Sequence, residues 1–209
     1  QDVRSVWAGL RPLVSPPSNA GGATSGVSRE HTVLRDADGL FTVTGGKWTT
    51  YRSMAADVLA RARAAGDLPP PPGGPADTRT ARLVGAPPAG ATLPSLQAPP
   101  GPHLWGSEAP VLQTLPGADR LLAAGLTEAM VRFAARHEWA ITVEDMLARR
   151  WRLLFLDVDA AERLAPEVAR LLQEETGIDP RLDDFLRLCG RYRLPSDETA
   201  QAPTQETTT

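Results

Sequence analysis

Twelve of the chain's 20 prolines fall between residues 67 and 110, four of them in the run Pro69 to Pro72. Proline fixes φ and carries no amide to donate, so neither a long helix nor a central strand passes through such a stretch. The 209 residues must therefore organise on either side of an irregular connection, expected to be a linker. One short element is expected inside it, the segment RLVGA at 82–86.

The regions that flank the connection differ in period. Residues 3–13 (VRSVWAGLRPL) alternate at first and stop at Pro12, which predicts a strand leaving a sheet. Residues 15–28 are rich in Ser, Gly, Pro and Asn and read as a loop. HTVLRD and LFTVT, joined by Asp36-Ala37-Asp38-Gly39, predict a β-hairpin or two neighbouring strands, ended by Gly45-Gly46. From Thr49 onward Tyr51, Met54, Ala55, Val58, Leu59 and Ala62 recur at helical spacing, and Gly66 stops the helix.

After the connection every signal is helical. Thr127 opens one helix, and Thr142 opens a second with Asp145 as its capping-box partner. Asp157 caps a third that reaches about Glu175, with Pro166 expected to kink or restart it. Asp179-Pro180 offers an N-cap followed by a proline at N1, predicting a fourth. The expected class is α+β. Residues 1–66 form the strands and one helix, 67–110 the linker, 111–195 an all-α domain, and 196–209 a polar, disordered tail.

Composition excludes several function classes. A 42% hydrophobic content suffices for a core, and a net charge of −3 gives no reason to expect a nucleic-acid partner. The lone Cys189 forms no intramolecular disulfide and no multi-cysteine metal site, and points to a reducing compartment. No apolar run is long enough for a bilayer span, and Gln1-Asp2-Val3-Arg4 does not begin a secretory leader. The chain lacks an initiator Met and is expected to be a processed product or a fragment.

Residues 7–52 carry the chemistry: Arg11 in GLRPLV, Arg29 in SREH, and the strand–GGKWTT–helix unit. A phosphate loop of the Walker type is excluded, because Phe41 and Trp48 stand where Gly and Ser or Thr are required. A glycine pair before a helix still allows a sharp turn and a close backbone approach to a planar ligand. The first amides, from Lys47 to Thr50, have no acceptor inside the helix and favour an anion together with the macrodipole. Lys47 is the single lysine among 22 basic residues, a position where a compact ammonium outperforms a guanidinium. Arg11 and Arg29 add planar bidentate donors, which suit a phosphate monoester.

Each residue also has a plainer reading. Arg11 and Arg29 taken singly are surface arginines, Gly45-Gly46 a tight turn, and His31 a structural residue of a strand. Trp139, Trp151, Phe133 and Phe155 read as core. Arg149, Arg150 and Arg152 read as a solvated helix face, or more sharply as a contact for anionic lipid headgroups or a partner subunit.

In order, VWAGLRPLV, SREH and LFTVTGGKWTTYRSMAADV resemble the substrate side of FAD-dependent, quinone-linked glycerol-3-phosphate dehydrogenases. AARHEWAITVEDMLARRWRLLFLD resembles the C-terminal helical domain of the same family. The resemblance implies that Arg11 and Arg29 bind glycerol 3-phosphate together with Lys47. It places Gly45, Gly46, Lys47, Trp48 and Thr49 against the FAD flavin. It further implies hydride transfer from the secondary alcohol to the flavin, electrons passed to a quinone, and a cytoplasmic protein peripheral on the inner face of the cell membrane. A homodimer is compatible with it.

No G-x-G-x-x-G fingerprint occurs in the 209 residues, so the chain alone is expected neither to hold FAD nor to react without an N-terminal FAD-binding portion. No catalytic residue is assigned, and no metal site. A glycerol-3-phosphate oxidase using oxygen shares every one of these motifs. A non-catalytic helical interaction module is the alternative from another class.

Overall fold

The computed structural model describes residues 2–10, 30–74, 77–95 and 97–194. It divides into two compact units, residues 9–82 and residues 1–8 with 83–209. These divisions differ from the expected boundaries at 66 and 110: most of the Pro-rich connection belongs to the helical unit, and so does the N-terminal segment.

In the smaller unit, β1 (Thr32–Arg35) and β2 (Phe41–Thr44) pair antiparallel, with Val33 opposite Val43. The Asp36–Gly39 turn closes as predicted: the Gly39 amide donates to the Asp36 carbonyl at 3.0 Å, with Gly39 at φ 92°. A 3₁₀ turn, Trp48–Thr50, leads into α1 (Tyr51–Ala64). The apolar residues of this unit are thinly covered. Val33 and Ala62 are its buried hydrophobic residues among those described, whereas Leu34, Leu40, Val43, Tyr51 and Leu59 are exposed.

The larger unit holds the core. A 3₁₀ segment (Pro102–Glu108) runs into the short α2 (Ala109–Leu112), and β3 (Leu121–Ala123) pairs with β4 (Leu126–Thr127). Then come α3 (Glu128–His137), a π-helical turn (Asp145–Arg150), α4 (Leu153–Leu156), α5 (Val158–Thr176) and α6 (Leu182–Tyr192). Leu126, Met130, Phe133, Met146, Leu154, Leu171, Leu172 and Phe185 form one closed cluster. The class is mixed and mostly helical with two small sheets, compatible with α+β.

Several caps match their sequence signals. The Thr127 Oγ1 accepts from the Met130 amide at 3.4 Å. Thr142 and Asp145 cap each other, the Asp145 amide donating to Thr142 Oγ1 at 3.1 Å and the Thr142 amide to Asp145 Oδ2 at 2.9 Å. Asp157 Oδ1 accepts the Ala160 amide at 2.9 Å at the start of α5.

Other expectations fail for identifiable reasons. The helix opened at Thr142 breaks at Trp151–Arg152, where Arg152 is left-handed (φ 62°). The α5 helix continues through Pro166, so of the kink or restart expected there the restart does not occur. The α6 cap is Arg181 (φ 57°), not Asp179, whose Oδ1 instead accepts the Arg181 amide at 2.9 Å in a local turn. The 82–86 segment forms neither helix nor strand; its Gly85 carbonyl accepts the Ser107 amide at 3.0 Å and so ties the connection to the 3₁₀ segment.

Trp139 also departs from expectation. Phe133 and Trp151 are buried, but Trp139 is 81% exposed with φ 57°. The Ala140 amide returns to the Ala134 carbonyl at 3.0 Å beyond the end of α3, so the backbone reverses at Trp139 and turns its ring outward.

The predicted strand at 3–13 is absent over residues 2–10. Residues 4–7 instead lie as an extended strap on the ends of α5 and α6. The Val6 amide donates to the Tyr192 carbonyl at 2.8 Å, and the Val158 amide donates to Ser5 Oγ at 2.8 Å.

Candidate functional site

The unit of residues 9–82 contains a cleft of about 480 Å³ lined by Glu30, His31, Gly46, Lys47, Thr50 and Ser53. Local sequence explains how these residues meet. Gly45 and Gly46, at φ 76° and 77°, turn the chain from β2 into the 3₁₀ turn. A Cβ on Gly46 would lie 2.6 Å from Met54 Sδ and 3.1 Å from His31 Cβ. The glycine is thus required by packing against α1 as well as by backbone conformation.

Lys47 closes the turn. Its amide donates to Thr50 Oγ1 at 3.3 Å, and its carbonyl accepts the Thr50 hydroxyl and amide, both at 2.9 Å. Of the amides expected to face a ligand, those of Lys47 and Thr50 are therefore engaged in the turn. Trp48 and Thr49 remain as the first helical amides without an acceptor inside the helix. The Trp48 ring is 87% exposed and stacks on Tyr51 at 5.7 Å between centroids.

His31 joins the site from the residue preceding β1. Its Nε2 lies 3.0 Å from Asp57 Oδ2 on α1, and Asp57 also accepts from Arg61 Nε at 3.2 Å. The Arg61 guanidinium and then His31 hold the Asp57 carboxyl below its ordinary range. Sequence reading treated His31 as structural; the signal that could have placed it here is its pairing with an acid on the inward side of the following helix. Ser53 carries no signal in the sequence, and Thr50 stands out there only through its amide and Glu30 only as the neighbour of Arg29.

Of the residues predicted as ligands, Gly46 and Lys47 share the cleft, and Gly45, Trp48 and Thr49 adjoin it in the chain. Arg11 and Arg29 lie outside the described residues. The basic cluster of the helical unit is largely engaged internally: Arg149 pairs with Glu144 at 2.7 Å and Asp145 at 3.0 Å, and Arg150 donates to the Glu138 and Asp145 carbonyls. No group of residues suited to a metal ion occurs among the described residues, and no described helix is long and apolar enough to cross a membrane.

The family model for the C-terminal domain of alpha-glycerophosphate oxidase matches residues 106–182. A mitochondrial glycerol-3-phosphate dehydrogenase of Arabidopsis thaliana is 36% identical over 203 residues, covering 83% of this chain and 32% of the relative. A probable mitochondrial glycerol-3-phosphate dehydrogenase of Dictyostelium discoideum is 35% identical, with 81% and 29% covered. The Bos taurus mitochondrial enzyme is 35% identical, with 85% and 26% covered. The chain thus spans about a third or less of the length of these relatives, and no solved structure matches it significantly. Over the portion it contains, this chain belongs to the glycerol-3-phosphate oxidase/dehydrogenase family.

Proposed function

We propose that this chain is the C-terminal portion of a flavoenzyme that oxidises sn-glycerol 3-phosphate to dihydroxyacetone phosphate and passes electrons to a quinone. The observation that carries the reading is the Lys47 cleft, where an ammonium, two hydroxyls and a helix start gather at a rigid glycine turn. The residues fit an FAD flavin edge. Trp48 and Tyr51 present an exposed flat surface, and the Trp48 and Thr49 amides are donors suited to an anionic ring edge. FAD, when bound, supplies the hydride acceptor. Lys47, with Arg11 and Arg29, binds and orients the phosphorylated alcohol, while Gly45 and Gly46 set the turn that aims Lys47.

The exposed apolar residues of the 9–82 unit support the same reading. Leu34, Leu40, Val43 and Leu59 are exposed, which suits burial against an FAD-binding portion. The assembled protein works as a peripheral enzyme at the cytoplasmic face of a membrane, where a quinone is reached. The test is to combine this chain with the FAD-binding portion of a glycerol-3-phosphate dehydrogenase. The expected result is a yellow complex that is bleached by glycerol 3-phosphate and reoxidised by a soluble quinone. A folded, colourless and inert complex would favour a non-catalytic interaction module, and faster reoxidation by oxygen than by quinone would favour an oxidase.

A further inference from the structure

The backbone at Gly46 sits between two walls, Met54 of α1 and His31 just before β1. A Cβ placed on Gly46 would meet Met54 Sδ at 2.6 Å and His31 Cβ at 3.1 Å. The two walls differ in stiffness. A thioether on a flexible side chain yields, whereas a Cβ moves only with its own backbone. His31 is therefore the firm side of the seat, provided that its segment is held.

Asp57 holds it. His31 Nε2 lies 3.0 Å from Asp57 Oδ2, a contact across 26 residues of sequence. Arg61, one turn further along α1, donates from Nε to both Asp57 oxygens at 3.2 Å and from Nη1 to the Val33 carbonyl of β1 at 3.4 Å. The path thus runs from His31 to α1 and back to the strand that His31 precedes. Such a closed set of polar contacts admits one placement of its parts. Among the described residues, Lys47 and Thr50 hydrogen-bond only to each other. The place of Lys47 in the cleft is then set by the seat under Gly46 and by the start of α1.

We infer that His31 is a positioning residue for Lys47: clamped by Asp57 and Arg61, it fixes the glycine turn and through it the ammonium in the cleft of Glu30, His31, Gly46, Lys47, Thr50 and Ser53. The consequence for turnover rests on the reading that this cleft meets glycerol 3-phosphate; the clamp itself does not. His31 acts on the ligand only by way of Lys47. A misplacement of about 1 Å in a binding group costs up to about a hundredfold, which bounds the effect.

Two readouts test this. In the chain itself, hydrogen exchange by NMR compares two amides: Thr50, bonded to the Lys47 carbonyl at 2.9 Å, and Gly39, bonded to the Asp36 carbonyl at 3.0 Å at the far end of the hairpin. His31→Ala and Asp57→Ala should each quicken exchange at Thr50 about tenfold and leave Gly39 unaltered. Thr50 exchanging as slowly as in the parent overturns the clamp, because the turn then does not depend on it. Equal quickening at Gly39 overturns it too, because the pair then supports the whole unit rather than the turn.

In the assembled FAD-containing enzyme, a double-mutant cycle joins His31→Ala to Lys47→Met. Alone, His31→Ala should raise the KM for glycerol 3-phosphate about tenfold with kcat within about twofold, and it should add nothing once Lys47 is Met. Asp57→Asn, which keeps an oxygen within reach of the imidazole, should recover most of the loss seen in Asp57→Ala. The same rise in both backgrounds overturns the inference, since His31 then acts independently of Lys47. Failure of the unaltered assembly to oxidise glycerol 3-phosphate removes the functional reading instead, and the exchange measurement still decides the clamp.

Discussion

Asp157 shares its carboxylate between two segments far apart in sequence, taking the Ala160 amide on Oδ1 at 2.9 Å and the Arg4 guanidinium on Oδ2 at 2.7 Å. The Ala160 amide, more than Arg4, holds this carboxyl below its ordinary range. The Asp157→Ala variant should lose about 1 kcal/mol from the missing cap and at most about 1 kcal/mol from the exposed ion pair. Arg4→Ala should lose only the second part. Urea denaturation of the two variants separates the contributions, and equal midpoints would show that Asp157 acts as a cap in name only.

Gly46→Ala tests the glycine turn. The left-handed backbone costs about 1–2 kcal/mol for a residue bearing a Cβ, and the collision with Met54 adds about 1–3 kcal/mol. Pairing the change with Met54→Ala should restore part of the loss, since the Cβ is then freed of the sulfur and keeps only the 3.1 Å approach to His31 Cβ. If both variants lose equally, the strain lies wholly in φ.

In the assembled enzyme, Arg11→Ala, Arg29→Ala and Lys47→Met should each raise the KM for glycerol 3-phosphate by about 10- to 150-fold. A charge-assisted hydrogen bond to phosphate contributes about 1.5–3 kcal/mol. Lys47→Arg should recover little of this, because a guanidinium cannot replace a compact ammonium beside the tight turn. Steady-state kinetics with glycerol as a phosphate-free comparison checks the assignment: glycerol turnover should be indifferent to the arginines.

How far the sequence showed this structure depends on the range of the interaction. The Asp36–Gly39 turn, the Thr127 cap, the Thr142–Asp145 pair and the Asp157 cap are made between residues four or fewer positions apart, and each was legible. The strap was not, because an alternating run such as VRSVW fits a sheet and a helix-capping strap equally well; only the distant Val158 and Tyr192 decide between them. Left-handed Trp139, Arg152 and Arg181 were missed for a related reason. Residues with a Cβ rarely adopt that conformation, so nothing local announces it. Within the site, Lys47 and Gly46 stood out by composition and motif, whereas His31 enters through its pairing with Asp57, 26 residues away.

An acid network joins α3 to α5. Arg132 pairs with Glu128 at 2.6 Å and Glu175 at 2.6 Å, Arg120 joins Glu128 at 2.5 Å and Glu167 at 2.6 Å, and Arg136 holds Glu175 at 2.6 Å. These guanidiniums lower the carboxyls: Arg120 foremost for Glu128, Arg136 for Glu175, and Arg170 for Glu167, which falls to about 2. Depressed folded values mean stability that is complete above the ordinary carboxylate range and lost as pH falls from about 4.5 toward 2. Arg132→Ala should cost about 1–3 kcal/mol at pH 7, since it takes one guanidinium from each of Glu128 and Glu175 and leaves them only Arg120 and Arg136, and should flatten the acid limb of the curve. Thermal melts from pH 2 to 7 check both points.

Glu138 should behave in the opposite sense. Burial raises its carboxyl above the ordinary value, against the pull of the Trp105 indole, whose Nε1–H donates to Glu138 Oε1 at 3.0 Å. A raised carboxyl stabilises the fold most below its unfolded value of about 4.5, and that contribution is lost as pH rises through the folded value. Glu138→Gln keeps an acceptor for the indole and removes the half-buried charge, so it should match or exceed the parent's stability at pH 7 and show no such loss. Glu138→Ala leaves the Trp105 N–H without its partner and should cost about 1–3 kcal/mol at every pH. Urea denaturation at pH 4 and pH 7, followed by tryptophan fluorescence, distinguishes the two. If Gln destabilises as much as Ala at pH 7, the negative charge itself stabilises the fold, through Arg150 nearby, and burial is not the dominant effect on Glu138.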